Sequence, residues 1–198
     1  DPYGGEQAFK GLDKPDLILI TDIHGDHLDE KTLDALNAEG TTIIAPQAVK
    51  DKMSEKYKKS TSVVNNGDKH GDLGILIEAI PMYNLPEAPD AKHVKGRGNG
   101  YILTLGDKRV YISGDTEDIP EMRGLNGIDI AFVCMNLPYT MDINQAASAV
   151  LEFEPAIVYP YHYRGRPDMS DTAAFKALVD NGSKGIEVRL RNWYPEYQ

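Results

Sequence analysis

Short apolar runs alternate along this chain with polar segments that carry turn and capping residues. Runs rich in apolar residues predict strands at 17–21, 42–45, 63–64, 73–80, 128–133, 156–159 and 186–190. Two further runs, 101–105 and 109–113, flank Gly106-Asp107-Lys108 and predict a hairpin. The strand pattern therefore extends over most of the chain.

Helices are predicted between many of these strands. Capping and terminating residues predict them at 30–38, from 46 to about 56, at 118–124, at 143–152 and at 171–181. Residues 84–100 are rich in proline and glycine without periodicity, which is typical of a long surface loop. With no repeat or linker in the sequence, we expect one mixed α/β domain over 1–198.

Composition and charge narrow the function classes. The formal net charge of −10 argues against a general nucleic-acid binder, because phosphate contacts need a basic face. No apolar stretch is long enough to span a bilayer. The single cysteine, Cys134, cannot form an internal disulfide and follows an apolar run that predicts a buried thiol. A small-molecule partner is the expectation that remains, with the oligomeric state open.

The compartment also stays open. The sequence begins at Asp1-Pro2-Tyr3 rather than at methionine, which suggests a processed or shortened chain. We therefore keep both a cytoplasmic protein and one exported after removal of a signal peptide as alternatives for a soluble chain.

The strongest chemical signal directly follows the first predicted strand. Asp22, His24, Asp26 and His27 lie within six residues. Alternate residues of an extended segment point the same way, and the turn at Gly25 brings in His27. Imidazole and carboxylate are common ligands of divalent transition metals. The alternative is a solvated polar loop that leads into a helix.

Two more candidates follow strand ends. Asp115 comes after the strand 109–113 and beside Gly114, and His162 comes after the strand 156–159. Alone, Asp115 would be interpreted as a turn or capping residue, and His162 as a packed surface histidine. Because layered α/β folds place their sites at strand ends, the three clusters together favour a metal centre.

The order of these motifs resembles the metallo-β-lactamase superfamily, whose pattern is His-x-His-x-Asp-His, a lone His, an Asp in Gly-Asp-Thr, and a last His. The similarity extends over nearly the whole chain. It is closest to the branch that contains ascorbate-6-phosphate lactonases and phospholipase-D-like hydrolases. This resemblance implies a four-layer αβ/βα sandwich. It also implies that the N-terminal strands of the first sheet are missing from this sequence, since family members begin with strands before an Asp-Pro segment.

Carried over residue by residue, the resemblance implies one complete metal site. It consists of Asp26, His27, Asp115 and His162, with Asp115 as the bridging ligand. At the other site, His24 matches, Asp22 stands where the pattern has histidine, and Asn84 is the best match to the lone middle histidine.

Asp22 and Asn84, in place of histidines, change the expected charge and metal preference of the centre. A third carboxylate lowers the net charge of a two-ion centre with one hydroxide from +1 to zero. Oxygen donors in place of imidazoles also favour harder ions. We expect Zn²⁺ or Mn²⁺ as the cofactor, with one ion bound tightly and a second position that is weak or empty.

Residues that contact a substrate are predicted near these segments. His93 and Arg97 belong to a basic stretch of the long loop that could attract an anionic group, or could simply be solvated. Tyr139, Tyr161 and Arg164 flank ligand-bearing segments and could donate to a substrate oxyanion, with packing as the alternative for the tyrosines.

The predicted activity is hydrolysis of an ester, lactone or phosphodiester by a metal-bound hydroxide, with Asp26 or Asp115 orienting the nucleophile. The alternative is a non-catalytic metal- or ligand-binding protein on a degenerate hydrolase scaffold. Asp22 and Asn84 are the residues that favour this alternative.

Overall fold

The computed structural model of the chain describes residues 1–195, in which ten strands form two sheets and seven helices cover them. The strands are β1 (Leu17–Leu19), β2 (Thr42–Ala45), β3 (Thr61–Val63), β4 (Lys69–Asp72), β5 (Ile75–Met82), β6 (Gly98–Leu105), β7 (Lys108–Ile112), β8 (Ile130–Cys134), β9 (Ile157–Tyr161) and β10 (Glu187–Val188). The helices are α1 (Gly5–Ala8), α2 (Glu30–Ala35), α3 (Gln47–Lys52), α4 (Glu55–Lys58), α5 (Pro120–Arg123), α6 (Ile143–Phe153) and α7 (Thr172–Gly182).

The two sheets differ in their strand directions. The first has the order β1-β2-β3 and is parallel throughout. The second has the order β10-β9-β8-β7-β6-β5-β4. Its strands β4 to β7 pair antiparallel, whereas β7 to β10 pair parallel. The carboxyl ends of β7, β8 and β9 therefore lie along one edge.

Side-chain alternation along the strands explains how the layers stack. In β2, Ile43 packs toward α2, α3 and α4, while its neighbour Ile44 packs between the sheets against Ile77 and Tyr101. The outer face of the second sheet packs on α5, α6 and α7 through a third cluster that includes Val133. The order of layers is helix, sheet, sheet, helix, as the resemblance implies.

The two longest helices each begin after an aspartate cap, of which Asp142 was predicted and Asp171 was expected inside its helix. Asp142 accepts hydrogen bonds from the amides of Asn144 and Gln145, and the Asp142 amide donates to Gln145 Oε1, which completes a capping box. Asp171 caps α7 through the amide of Ala174. Each cap contributes about 1 kcal/mol to helix stability.

Several elements differ from the sequence prediction. Helix α1 was not predicted, and the single helix expected from 46 to about 56 is divided into α3 and α4. The polar run around His70 forms β4, which pairs with β5 at the edge of the second sheet, where polar residues are common. Residues 98–100, expected in the loop, begin β6, because Gly98 pairs with Met82 of β5. The loop between β5 and β6 is therefore shorter than predicted. Among the helices of residues 1–195, none is long and apolar enough to cross a bilayer.

Candidate metal centre

The predicted ligands other than Asn84 come together at one edge of the two sheets, and His93, predicted to contact substrate, joins them. Asp22 to His27 follow β1, His93 lies in the loop between β5 and β6, Asp115 follows β7, and His162 follows β9. The parallel course of β7 to β9 brings the last two segments to the same edge. Of the five histidines in the chain, four meet here and His70 lies apart in β4.

The ligand atoms form two groups. The first group is Asp22, His24 and His93, and the second group is Asp26, His27 and His162. Within each group one ligand atom of every residue lies within 4.8 Å of the others. The ring centroids are 5.2 Å apart for His24 and His93 and 5.1 Å apart for His27 and His162.

Asp115 lies between the two groups and is 4% exposed. Its Oδ2 is 3.2 Å from His93 Nε2 and 3.4 Å from His27 Nε2, and its Oδ1 is 3.2 Å from His162 Nε2. Two ligands about 2.1 Å from an ion at the tetrahedral angle are about 3.4 Å apart. These separations match those of ligand atoms that would hold a cation between them.

The chemistry of the orphaned atoms also fits a metal. His27 Nε2, His93 Nε2, His162 Nε2 and Asp115 Oδ1 are buried and have no hydrogen-bond partner within the described residues. An unsatisfied buried polar group is costly, and such groups are rare in folded proteins. Four of them in one place are explained if they bind a divalent cation.

Asp1 orients the ring of His27, a role that the sequence did not reveal. Its Oδ2 is 3.0 Å from His27 Nδ1 and accepts a 2.7 Å bond from the hydroxyl of Thr21. Its Oδ1 accepts a 2.6 Å bond from the Thr21 amide. Because a carboxylate only accepts, this arrangement places the proton on Nδ1 and leaves the Nε2 lone pair for a metal.

Asn84 orients His93 in the same way. Its Oδ1 accepts from the His93 amide at 2.8 Å and lies 3.1 Å from Nδ1. Its Nδ2 donates to the carbonyl of Tyr139 at 2.8 Å and to Glu117 Oε1 at 3.2 Å, which fixes the amide orientation. The structure thus corrects the expectation for Asn84, which lies behind the ring. Since the loop folds back and pairs Asn84 N with His93 O, His93 takes the place expected for Asn84.

A glycine is required directly before Asp115. Gly114 has a φ of 63°, which favours glycine. A Cβ there would lie 2.7 Å from Met82 Sδ and 3.0 Å from the carbonyl of Asn99. The Gly-Asp-Thr motif therefore lets the chain turn in a crowded place and bring Asp115 to the centre.

The neighbouring imidazoles keep the carboxyl group of Asp115 ionised. Burial alone would raise the pKa of Asp115, but His27, His162 and His93 hold it well below its usual range. Burial would lower the pKa of His27, yet Asp115, with smaller effects from Asp26 and Asp22, raises it. A carboxylate at Asp115 is therefore available as a shared ligand.

Asp22 is fully buried and paired. Arg97 Nε is 3.3 Å from its Oδ1 and Arg97 Nη2 is 3.3 Å from its Oδ2, while His24 Nδ1 contacts Oδ2 closely. Burial would raise the pKa of Asp22, but His24, the Ile23 amide and Arg97 keep it below its usual value. Arg97, expected to bind substrate, thus pairs with a candidate ligand behind the cavity wall.

A cavity of about 610 Å³ opens onto the centre. Among the predicted substrate residues, His93, Tyr139 and Arg164 line it. Tyr161 is placed differently, because its hydroxyl accepts a bond from the Gly114 amide at 3.1 Å inside the protein. The remaining wall includes the candidate ligands His24, Asp26, Asp115 and His162, and also Tyr3, Lys92, Asn136, Gly165, Arg166, Pro167, Asp168 and Met169.

The role of Asp1 gives a first prediction. Asp1→Asn keeps the shape of the side chain but removes its charge, which makes His27 a weaker metal ligand. We expect metal affinity to fall by about 10-fold to 100-fold. Competition with a chromophoric chelator measures this affinity, with the exposed Asp13→Asn as the matched control. Equal affinity in the two variants would contradict the assigned role.

Comparisons with known proteins agree with this geometry. Residues 4–163 match the model of a beta-lactamase superfamily domain. The chain is 35% identical to a UPF0173 metal-dependent hydrolase of Pyrococcus horikoshii, in an alignment that covers 96% of this chain and 87% of that protein.

Solved structures give similar matches. A protein of Parabacteroides distasonis, provisionally described as a metal-dependent hydrolase, is 43% identical with a TM-score of 0.81, over 92% of this chain and 79% of its own. Igni18, a metallo hydrolase of Ignicoccus hospitalis, is 27% identical with a TM-score of 0.73, over 90% and 77% of the two chains.

Proposed function

Since this chain belongs to the UPF0173 metal-dependent hydrolase family, we propose that it hydrolyses an ester, lactone or phosphodiester bond of a small molecule at this centre. Lactonase-like and phosphodiesterase-like chemistry, suggested by the resemblance of the motifs, are the two forms that we consider first. The observation that carries the proposal is the convergence of three buried Nε2 atoms on the Asp115 carboxylate beside an open cavity.

In this proposal, the two groups hold divalent ions and share Asp115. Counting Asp115, each group offers two imidazoles and two carboxylates. Such mixed donors suit Zn²⁺ and Mn²⁺, which we propose as the cofactors. A bound divalent ion supplies Lewis acidity and makes water a better nucleophile at neutral pH.

Asp26 is the proposed proton acceptor. Its side chain is 39% exposed and lies on the cavity wall, with Oδ2 3.5 Å from His162 Nε2. During hydrolysis, the oxygen of water bonds to the acyl carbon or phosphorus and its proton passes to Asp26. The bond to the leaving oxygen breaks, and that oxygen then takes a proton. The more deeply buried Asp115 is better suited to orient the reacting groups.

The wall of the cavity favours a substrate with an anionic group. Lys92, Arg164 and Arg166 line it in a protein of net charge −10. Cationic side chains at the wall attract a carboxylate or phosphate and stabilise the negative charge that develops on a substrate oxygen. A cavity of about 610 Å³ is of the size that binds small molecules.

A substrate screen tests the proposal. The purified chain is stripped of metal, supplied with Zn²⁺, Mn²⁺ or no ion, and assayed with chromogenic phosphodiesters, esters and lactones. We expect turnover with at least one class, only with metal, and a loss of about 10²-fold or more in His162→Ala and Asp26→Ala. His70→Ala is the matched control, since His70 lies in β4.

Two results of the screen would contradict the proposal. Stoichiometric metal without turnover on any of these classes would support a non-catalytic metal-binding protein. Turnover that persists in His162→Ala would show that the reaction takes place elsewhere on the chain.

A further inference from the structure

The carboxylate of Asp22 is paired with the guanidinium of Arg97. Arg97 Nε donates to Asp22 Oδ1 and Arg97 Nη2 donates to Asp22 Oδ2, each at 3.3 Å. Nη2 also donates to the Lys92 carbonyl at 2.6 Å. The Arg97 side chain is 22% exposed, so water screens this pair only in part. The guanidinium is therefore a fixed charge next to the first group.

The positive charge of Arg97 changes the net charge of the side chains around the centre. The metallo-β-lactamase pattern has a neutral histidine at the position of Asp22 and two carboxylates in its full ligand set. Here Asp22, Asp26 and Asp115 make three carboxylates, and Arg97 contributes one positive charge beside them. The net charge of the four side chains is −2, the same as that of two carboxylates.

We infer that Arg97 is a charge-compensating residue, which together with Asp22 takes the place of a neutral ligand in the first group. This inference rests on the proposed metal centre. Arg97 withdraws Asp22 from full interaction with an ion, because the carboxylate divides its attraction between the ion and the guanidinium. The first group consequently binds its ion more weakly than Asp22, His24 and His93 would without Arg97.

Metal titration of variants tests this inference without any substrate. Arg97→Gln removes the charge and keeps a long polar side chain, whereas Arg97→Lys keeps the charge and loses the planar fork. Both are made in a His162→Ala background, which disables the second group and leaves the first group to be measured. Mn²⁺ binding is followed by electron paramagnetic resonance, and Zn²⁺ binding by competition with a chromophoric chelator.

The direction of the expected change separates electrostatics from structure. With Arg97→Gln we expect the first group to bind Mn²⁺ about tenfold more tightly or better, because a positive charge near the ion is removed. With Arg97→Lys we expect an affinity within about threefold of the parent. A purely structural Arg97 would give weaker binding in both variants.

Asp22→His, alone and combined with Arg97→Gln, completes a double-mutant cycle for the two residues. Asp22→His alone leaves Arg97 without its carboxylate, and we expect the first group to bind metal about tenfold more weakly. Adding Arg97→Gln to Asp22→His should return the affinity to within about threefold of the parent. Circular dichroism verifies that each variant is folded. If Asp22→His does not fold, the metal affinities of Arg97→Gln and Arg97→Lys test the inference.

The outcomes are distinct. Unchanged or weaker binding in Arg97→Gln, or no rescue in the double variant, overturns the inference and leaves the proposed function standing. A wild-type chain that binds no ion at all defeats the proposed function. Tighter binding in Arg97→Gln together with the rescue supports charge compensation, whether or not a substrate has been found.

Discussion

Asp115→Asn is expected to lower metal-dependent hydrolysis by about 10³-fold or more. Asparagine preserves the shape of the side chain but removes the negative charge that faces three imidazoles. Since both carboxylate oxygens of Asp115 lie within 3.4 Å of those imidazoles, the loss affects both ligand groups at once. Steady-state kinetics with the best substrate of the screen, at saturating Mn²⁺ or Zn²⁺, measures the effect.

The same strand offers a matched control. Asp107 precedes β7, whereas Asp115 follows it, and Asp107 is 88% exposed in the hairpin turn. Asp107→Asn is the same chemical change at the opposite end of one strand, and we expect activity within about twofold of the wild type. Comparable losses in the two variants would point to a general effect on folding and would refute the central role of Asp115.

Removal of the metal is expected to lower the melting temperature by roughly 10 °C. An ion at a free concentration about 1,000 times its Kd stabilises the folded state by about 4 kcal/mol. For a chain of this length, each kcal/mol corresponds to about 2–4 °C. The destabilisation arises because the orphaned imidazole nitrogens and the Asp115 carboxylate then lie buried without a cation.

Calorimetry with and without a chelator measures this shift. In His162→Ala, which retains fewer ligands, chelation should lower the melting temperature less than in the wild type. A purified chain that holds no metal, and whose melting temperature a chelator leaves unchanged, would contradict a metal centre and favour a metal-free structural role for these residues.

Much of the architecture followed from local pattern. The α/β metallo-β-lactamase fold implied by the motif order is confirmed. Asp142 caps α6 as expected, because capping depends on residues within one helical turn, and α7 begins one residue later than predicted, after its cap Asp171. β4 escaped prediction, since an edge strand of polar residues is held by its pairing with β5 rather than by an apolar face.

The candidate centre was predictable where ligands directly follow buried strands. Asp26, His27, Asp115 and His162 meet as the resemblance implied, because strand ends fix their positions. His93 could not be assigned in this way, because it lies on a loop whose return is set by Asn84. One signal was available in the sequence. Of the five histidines, only His70 and His93 were not predicted as ligands, and His93 is the one that lies in the long loop.

The residues that contact the candidate ligands, Asp1 and Arg97, could not be assigned to these partners from the sequence. Asp1 meets His27 across 26 positions and Arg97 meets Asp22 across 75, and neither pair has a spacing that marks it in the sequence. The first contact forms when the segment before α1 packs along β1, and the second forms only when the two sheets are packed together. The metal chemistry is therefore more visible in the sequence than the side chains that tune it.

The wide spacing of the ligands along the chain also sets the order in which the site is built during synthesis. The first group needs residues only as far as His93, but Asp115 comes later and His162 later still. A ribosome that extends the chain from the N-terminus releases the last ligand well after the first, and β8 must also form between β7 and β9. The second group therefore cannot bind an ion until residue 162 has been made, whereas Asp22, His24 and His93 are made earlier.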